Sequence, residues 1–436
     1  MIVAHILAAR ARKSATRFCL PGTILATFYP ARMNRETINA LFSAMLKMGD
    51  GVSDLLFVAD KPPMVEIHGI LHEFPIDTGE SVLHAPQIKQ LADLLINGNE
   101  RLLWEFDQLG SCDTSYGIDD VARFRVNIFK QNSQHAIVMR KLASEVPTLD
   151  SLALPPVFRE MIKEKNGIIL ITGGTGMGKT TTLAAIVDAL NKTEEIHIVT
   201  LEDPVEFQHQ HKKALINQRE LGRDFPTFAD GLRSALRQAP KVILVGEIRD
   251  RPSMEIAMSA AETGHLVLST LHTVNAGQTI HRIIGMFPRE EEAQLRQRVS
   301  ENIRYIVSQR LVSKIGGGRL LVTEVMGSSL RTREALVYGE SENKTFVEMM
   351  ESGTTLGWHT FDQSLLIAVG EDLITEETAL IYCTNKGRMR RDLDQLRKRR
   401  GAAGMSDSPS GLKLNIPESI ESILEAQRAR EAQAVS

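Results

Sequence analysis

The eight residues Gly173-Gly174-Thr175-Gly176-Met177-Gly178-Lys179-Thr180 carry the spacing G-x-x-x-x-G-K-T. A polyphosphate is held by many backbone N–H groups at close range, and glycines let a chain wrap that tightly. Lys179 would then reach the β- and γ-phosphates, and the Thr180 hydroxyl would offer an oxygen to Mg²⁺. Thr180 and Thr181 open a helix whose positive N-terminus faces the anion. Further residues would act on a nucleotide bound there. Glu202, Asp203 and Glu206 follow the apolar run His197–Leu201, and Glu247 follows Val242–Val245. Phosphoryl transfer needs a cation on the β- and γ-oxygens and a group that orients the attacking water. Glu247 is placed to stand beside the metal. Glu206 or Glu202 would orient or deprotonate the water, and Asp203 serves equally as a cap on the Pro204 turn. His265 and His272 flank the apolar run Leu266–Leu271, seven residues apart. An odd spacing sends them to opposite faces of a regular strand, which argues against a shared metal. Beside a γ-phosphate, either would sense the state of the nucleotide.

Periodicity supplies the elements that must position these groups. Ile168–Ile171 is a continuous apolar run before the loop, and Leu183, Ile186, Val187 and Leu190 recur after it at helical spacing. Strands at 197–201, 242–245 and 266–271 alternate with helices at 228–237 and 253–262, which predicts an α/β fold with a mostly parallel sheet covered on both faces. Ligands of such sheets sit beyond the carboxyl ends of the strands. After Phe287-Pro288 the pattern predicts helix through about Leu311, then a hairpin turning at Gly316-Gly317-Gly318, then helical segments to about residue 400.

Upstream, residues 34–140 read as a small α/β domain. Asn34 caps a helix bearing Ile38, Leu41, Phe42 and Leu46. Strands follow near 52–58 and 64–68, with a helix over 87–95. Residues 122–129 alternate, with Arg123, Arg125 and Asn127 on one face, and 134–140 is the partner strand. Residues 141–150, with Pro147, read as a linker or hinge, and 151–400 as the phosphate-loop domain with its C-terminal helices. Residues 1–33 read as a disordered leader or a mis-assigned start, since Met33 stands just before the capping Asn34. Residues 401–436 read as a flexible tail with a short amphipathic helix over 417–432. Residues 386–400 carry eight Lys/Arg against two Asp, which suits a solvated helix face or an anion-docking patch.

The 436 residues imply two or three domains, and 43% hydrophobic with 24% charged residues is ordinary for a globular chain. A net charge of -3 gives no overall field for nucleic acid, and no aromatic-basic interleaving surrounds the loop. A nucleic-acid translocase is therefore disfavoured. No apolar run approaches the roughly 18 residues of a membrane helix. The three cysteines, Cys19, Cys112 and Cys383, lie far apart, which excludes a cysteine zinc ribbon and points to a reducing cytosol.

Many blocks occur in one order along 34–385. They are Ser53-Asp54-Leu55 with Pro62-Pro63, Ala122 to Asn127, the phosphate loop, Glu202-Asp203-Pro204-Val205-Glu206, Asn217 to Glu220 and Leu236 to Pro240. Gly246 to Asp250, Ala261 to His265 through Leu271-His272, Phe287-Pro288, Ser308 to Leu311, Leu356-Gly357 and Thr360 to Gln363 follow. This series resembles the hexameric motor ATPases of type IV pili and type II secretion, most closely the twitching-motility retraction ATPases (PilT/PilU type). The resemblance implies a PAS-like N-terminal domain joined to a RecA-like P-loop ATPase domain in a ring of six. It implies Mg²⁺-dependent ATP hydrolysis driving pilus retraction in the cytoplasm, under an inner-membrane platform protein and with a paralogous retraction ATPase as a further partner. Glu206 falls on the family's catalytic glutamate, Glu247 on its Walker-B glutamate, and His265 and His272 on its His box. Arg125 and Arg140 fall on arginines that similar proteins present to nucleotide from the N-terminal domain; a guanidinium closing on the γ-phosphate would couple hydrolysis to rotation about 141–150. There are departures. Lys241 replaces an acid before the Walker-B strand, and only Arg333 of the retraction motif is clear within Leu330–Tyr338. An accessory role of the PilU kind and a secretion motor of the DotB kind therefore stand beside the retraction motor.

Overall fold

The computed structural model describes residues 33–75, 82–119, 121–143, 145–342 and 344–404, with the side chains of 401–404 left aside. The expected leader, apart from Met33, and the expected tail from 405 onward lie outside the described residues. Two compact units result: one within 1–145 together with 204–208, the other within 146–203 together with 209–436.

The first unit begins with α1 (Arg35–Leu46). The Asn34 side chain accepts from the Thr37 N–H at 2.8 Å, and Ile38, Leu41, Phe42 and Met45 bury one stripe. Next come β1 (Val52–Val58), β2 (Met64–Ile67), β3 (Ile70–Glu73), α2 (Ala85–Ile96) and α3 (Glu100–Leu109). The unit closes with β4 (Ser111–Ile118), β5 (Ala122–Gln131) and β6 (Gln134–Lys141). The sheet is antiparallel, in the order β3-β2-β1-β6-β5-β4. Along β5, Ala122, Phe124, Val126 and Ile128 are buried, while Arg123, Arg125 and Asn127 take the other face. Sequence periodicity passed over α3 and β4. The α3 helix buries only Leu102 and Phe106, and β4 is polar and held by pairing with β5 along its whole length.

The second unit runs α4 (Val157–Met161), β7 (Gly167–Thr172), α5 (Lys179–Thr193), β8 (His197–Glu202), β9 (Leu215–Glu220), α6 (Phe228–Ala235), β10 (Val242–Val245), α7 (Arg251–Glu262) and β11 (Leu266–Leu271). It continues with α8 (Ala276–Ile284), α9 (Glu292–Asn302), β12 (Ile303–Ser313), β13 (Arg319–Gly327), α10 (Leu330–Tyr338), α11 (Phe346–Ser352), α12 (Phe361–Gly370), α13 (Glu376–Tyr382) and α14 (Lys386–Gly404). Its sheet order is β13-β12-β7-β11-β10-β8-β9, parallel except for the β12–β13 hairpin. Alternate residues of each strand feed two cores. Ile168, Leu170, Val199, Ile243 and Val267 pack with Met254, Ala257 and Met258 of α7. Ile169, Ile171, Ile198, Leu244 and Leu268 pack with Leu183, Ile186 and Val187 of α5. Full burial on both faces explains why these strands read as unbroken apolar runs. The basic helix α14 buries Met389 and Leu393 against α12 and turns its arginines outward.

One expectation fails. The helix read from 288 to about Leu311 ends at Asn302, and Ile303 begins β12. Its β-branched Ile303, Ile306 and Val307 pair with Ile168, Leu170 and Ile171 of β7, and that long-range pairing overrides the local pattern. The hairpin does turn at Gly316-Gly317-Gly318, all at positive φ. Among the described residues, no helix is long and apolar enough to cross a membrane.

Candidate nucleotide site

The buried strand β7 delivers the chain into Gly173 at φ 148°, where a Cβ would come within 2.7 Å of the Gln309 carbonyl oxygen. Gly176 and Gly178 also take left-handed φ, 76° and 81°. Gly178 is the N-cap of α5 and makes no side-chain cap hydrogen bond, so the first N–H groups of α5 are left for an anion. Gly174, Thr175 and Gly176 are exposed, and Met177, Thr180 and Thr181 half-buried. Lys179 is buried and folds back over the loop, its Nζ donating to the Gly173 and Gly174 carbonyls at 3.0 and 2.9 Å. Burial lowers its pKa, and the charge of Glu247 raises it.

Strand β12 braces this loop from behind. Gln309 Nε2 donates to the Thr182 hydroxyl at 2.7 Å, the Leu311 N–H to Met177 Sδ at 3.4 Å, and the Thr172 hydroxyl to Ser308 Oγ at 3.0 Å. These positions carried a signal only as part of the Ser308–Leu311 block.

Glu247 stands two residues past β10. The turn beneath it is pinned to β11, with the Thr270 hydroxyl donating to Gly246 O at 2.7 Å and the Ile248 N–H to Thr270 O at 3.1 Å. One Glu247 oxygen pairs with Arg249. The other is buried and accepts no hydrogen bond, with His272 Nε2 3.5 Å away. An anionic oxygen left so is unusual and fits a metal ion or its water.

Glu202 is buried at the end of β8, where its Oε1 accepts from the Thr200 hydroxyl at 2.7 Å and from Gln218 Nε2 at 3.1 Å. Those donors fix the orientation of the carboxyl group. Glu206 lies in 204–208, which goes with the first unit. His265 is not brought to the loop. It stands just before the amino end of β11, its Nδ1 3.0 Å from Ala260 O and 3.2 Å from Thr263 Oγ1. Seven residues of strand at about 3.3 Å each put it roughly 23 Å from His272. In the first unit, Arg125 and Arg140 are direct cross-strand partners and both are exposed. Arg140 Nε donates to the buried Asp54 at 2.9 Å. Arg140 stands between Asp54 on β1 and Arg125 on β5, so two guanidinium groups face one another with a carboxylate on one side only, a surface suited to an anion.

A parallel sheet with a glycine-rich phosphate loop after β7 and an acid after β10 defines a RecA-like P-loop nucleotide-binding protein. The family model for type II/IV secretion system proteins matches residues 115–355, and the chain belongs to that family. It is 41% identical to the type IV pilus retraction ATPase PilT of Pseudomonas aeruginosa over 76% of this chain and 93% of that one. It is 34% identical to the type IV pilus ATPase PilU of the same organism over 85% of this chain and 95% of that one. The crystal structure of the pilus retraction motor PilT with bound ADP superposes with a TM-score of 0.72 at 37% identity, over 81% of this chain and 99% of that one.

Proposed function

We propose that this protein is a ring-forming motor ATPase that converts ATP hydrolysis into retraction of a type IV pilus. The observation that carries the chemistry is the meeting of the Gly173–Thr181 loop, Lys179 and the half-partnered Glu247 at the carboxyl ends of one parallel sheet. The 41% identity to a pilus retraction ATPase across nearly its whole length supports the assignment to pili. The loop amides and Lys179 bind the phosphates. Thr180 and Glu247 would hold Mg²⁺, which when bound supplies positive charge to the β- and γ-oxygens. Glu206 orients and deprotonates the attacking water, and Glu202 at the end of β8 is the alternative for that role. His272 reads the γ-phosphate from beside Glu247, and Arg125 and Arg140 engage the nucleotide from the first unit. The protein works as a homo-hexamer in the cytoplasm, under an inner-membrane platform protein. A second reading, an accessory motor beside a paralogous retraction ATPase, is favoured by the PilU relative matching the larger share of this chain, 85% against 76%.

The test is steady-state ATPase activity with size-exclusion light scattering on the same sample, with and without ATP and Mg²⁺. Turnover in a hexamer supports the motor. A hexamer without turnover shifts the assignment to the accessory role. A monomer that binds no nucleotide refutes both.

A further inference from the structure

The segment that carries Glu206 leaves the second unit after Asp203 and re-enters it at His209. One side chain holds both of its feet. Gln218 stands on β9 directly across from Thr200 of β8, and the two-residue period puts Thr200, Glu202 and Gln218 on one face. Gln218 Nε2 donates to Oε1 of Glu202, the last residue of β8, at 3.1 Å. Gln218 Oε1 accepts the His209 N–H at 2.8 Å. These neighbours fix which way the amide faces, because a carboxylate oxygen takes a donor and a main-chain N–H an acceptor. Each foot is anchored in turn. At the first, the Leu221 N–H donates to Glu202 O at 2.8 Å and the Thr200 hydroxyl to Glu202 Oε1 at 2.7 Å. Just past the second, the fully buried Asn191 of α5 donates from Nδ2 to Gln210 O at 2.7 Å, and its Oδ1 accepts the Lys212 N–H at 3.0 Å. Between the feet runs the short arch 203–208, with Val205 and Phe207 buried.

We infer that Gln218 is a positioning residue for Glu206: by tying Glu202 to His209 it closes the arch 203–208 and sets where the Glu206 carboxylate meets the attacking water. The inference rests on the assignment of Glu206 as the base. A general base works within hydrogen-bond reach of the proton it takes, and a displacement of about 1 Å costs on the order of a hundredfold. Fixing both ends of so short an arch restricts where its middle can stand. Gln218 acts through the arch, so its loss slows hydrolysis and spares nucleotide binding.

The test compares the full chain as wild type, Gln218→Met, Glu206→Gln and the double variant. Methionine keeps the length of the side chain without either hydrogen bond, and the thermal midpoint checks that the fold is retained. Gln218→Met should lower the single-turnover hydrolysis rate at least about tenfold, with the Kd for ATP within about twofold. In the Glu206→Gln background the same substitution should add less than about twofold, because a side chain that acts through Glu206 has nothing left to position. Amides over 203–210 should exchange at least about fivefold faster in Gln218→Met, the scale of a lost hydrogen bond, and those over 173–182 should not change. Gln218→Glu removes the Glu202 donor and keeps the acceptor for the His209 N–H, so that amide should stay protected; this variant takes the place of Gln218→Met in the cycle if methionine does not fold. Losses that multiply in the double variant, ATP affinity that falls with the rate, or unaltered exchange over 203–210 overturn the inference. Normal hydrolysis by Glu206→Gln refutes the Glu206 assignment and with it the positioning of that residue, whereas the exchange data show separately whether Gln218 holds the arch. In a wild type without turnover the motor reading fails, and exchange alone judges the arch.

Discussion

At the carboxyl ends of β7, β10 and β11 stand the Gly173–Thr180 loop, Glu247 and His272. At the amino ends of β10 and β11 stand Lys241 and His265. The residue types are similar, but their surroundings differ. Glu247 keeps a buried oxygen without a hydrogen bond, and the N–H groups that open α5 have no side-chain cap. At the other end the local bonds are made: the Lys241 N–H donates to His197 O at 2.8 Å, and His265 stays with its own helix end. Unspent hydrogen-bonding capacity gathers at one edge of the sheet, where the strand ends and helix dipoles converge. The contrast also relocates the Lys241 departure, which belongs to the amino edge and is exposed there.

Substitutions at the two ends should therefore differ in scale. Glu206→Gln should leave ATP binding nearly intact and slow hydrolysis by at least about a hundredfold, the scale of a lost general base; single-turnover rates would read it, and normal hydrolysis would transfer the role to Glu202. Glu247→Gln should cost a similar or slightly smaller factor, about a hundredfold in kcat, with a raised Mg²⁺ requirement visible in a metal titration. His272→Ala should lower kcat about tenfold, whereas His265→Ala should stay within about twofold in an isolated chain. Equal losses would erase the distinction between the two ends. The smallest effect is expected for Lys241→Glu, within about twofold in kcat, since an exposed charge at the amino edge acts on the site only through screened distance.

Much of this arrangement is legible in the sequence, because its signals are local. The loop needs glycines within eight residues, and strands buried on both faces announce themselves as apolar runs such as Ile168–Ile171 and Val242–Val245. What the sequence hid depends on partners far along the chain. Gln309 and Ser308 brace the loop from more than a hundred residues away, and the same stretch carries helix-forming Arg, Gln and Leu that masked a strand. Parity alone sends His265 and His272 to opposite faces of one strand. The length of β11, rather than its two faces, separates them. Glu202 and Glu206 read alike in the sequence, and the Thr200 and Gln218 donors on one Glu202 oxygen come from the fold.

The most direct test is ATP turnover by the purified chain beside Lys179→Ala, with circular dichroism on both. The account predicts measurable turnover in wild type and its loss, by at least about a thousandfold, in a variant that remains folded, because Lys179 places a side-chain charge against the phosphates from within the loop itself. Turnover unchanged by Lys179→Ala would contradict it, and the Gly173–Thr180 loop would then be a turn and no phosphate site.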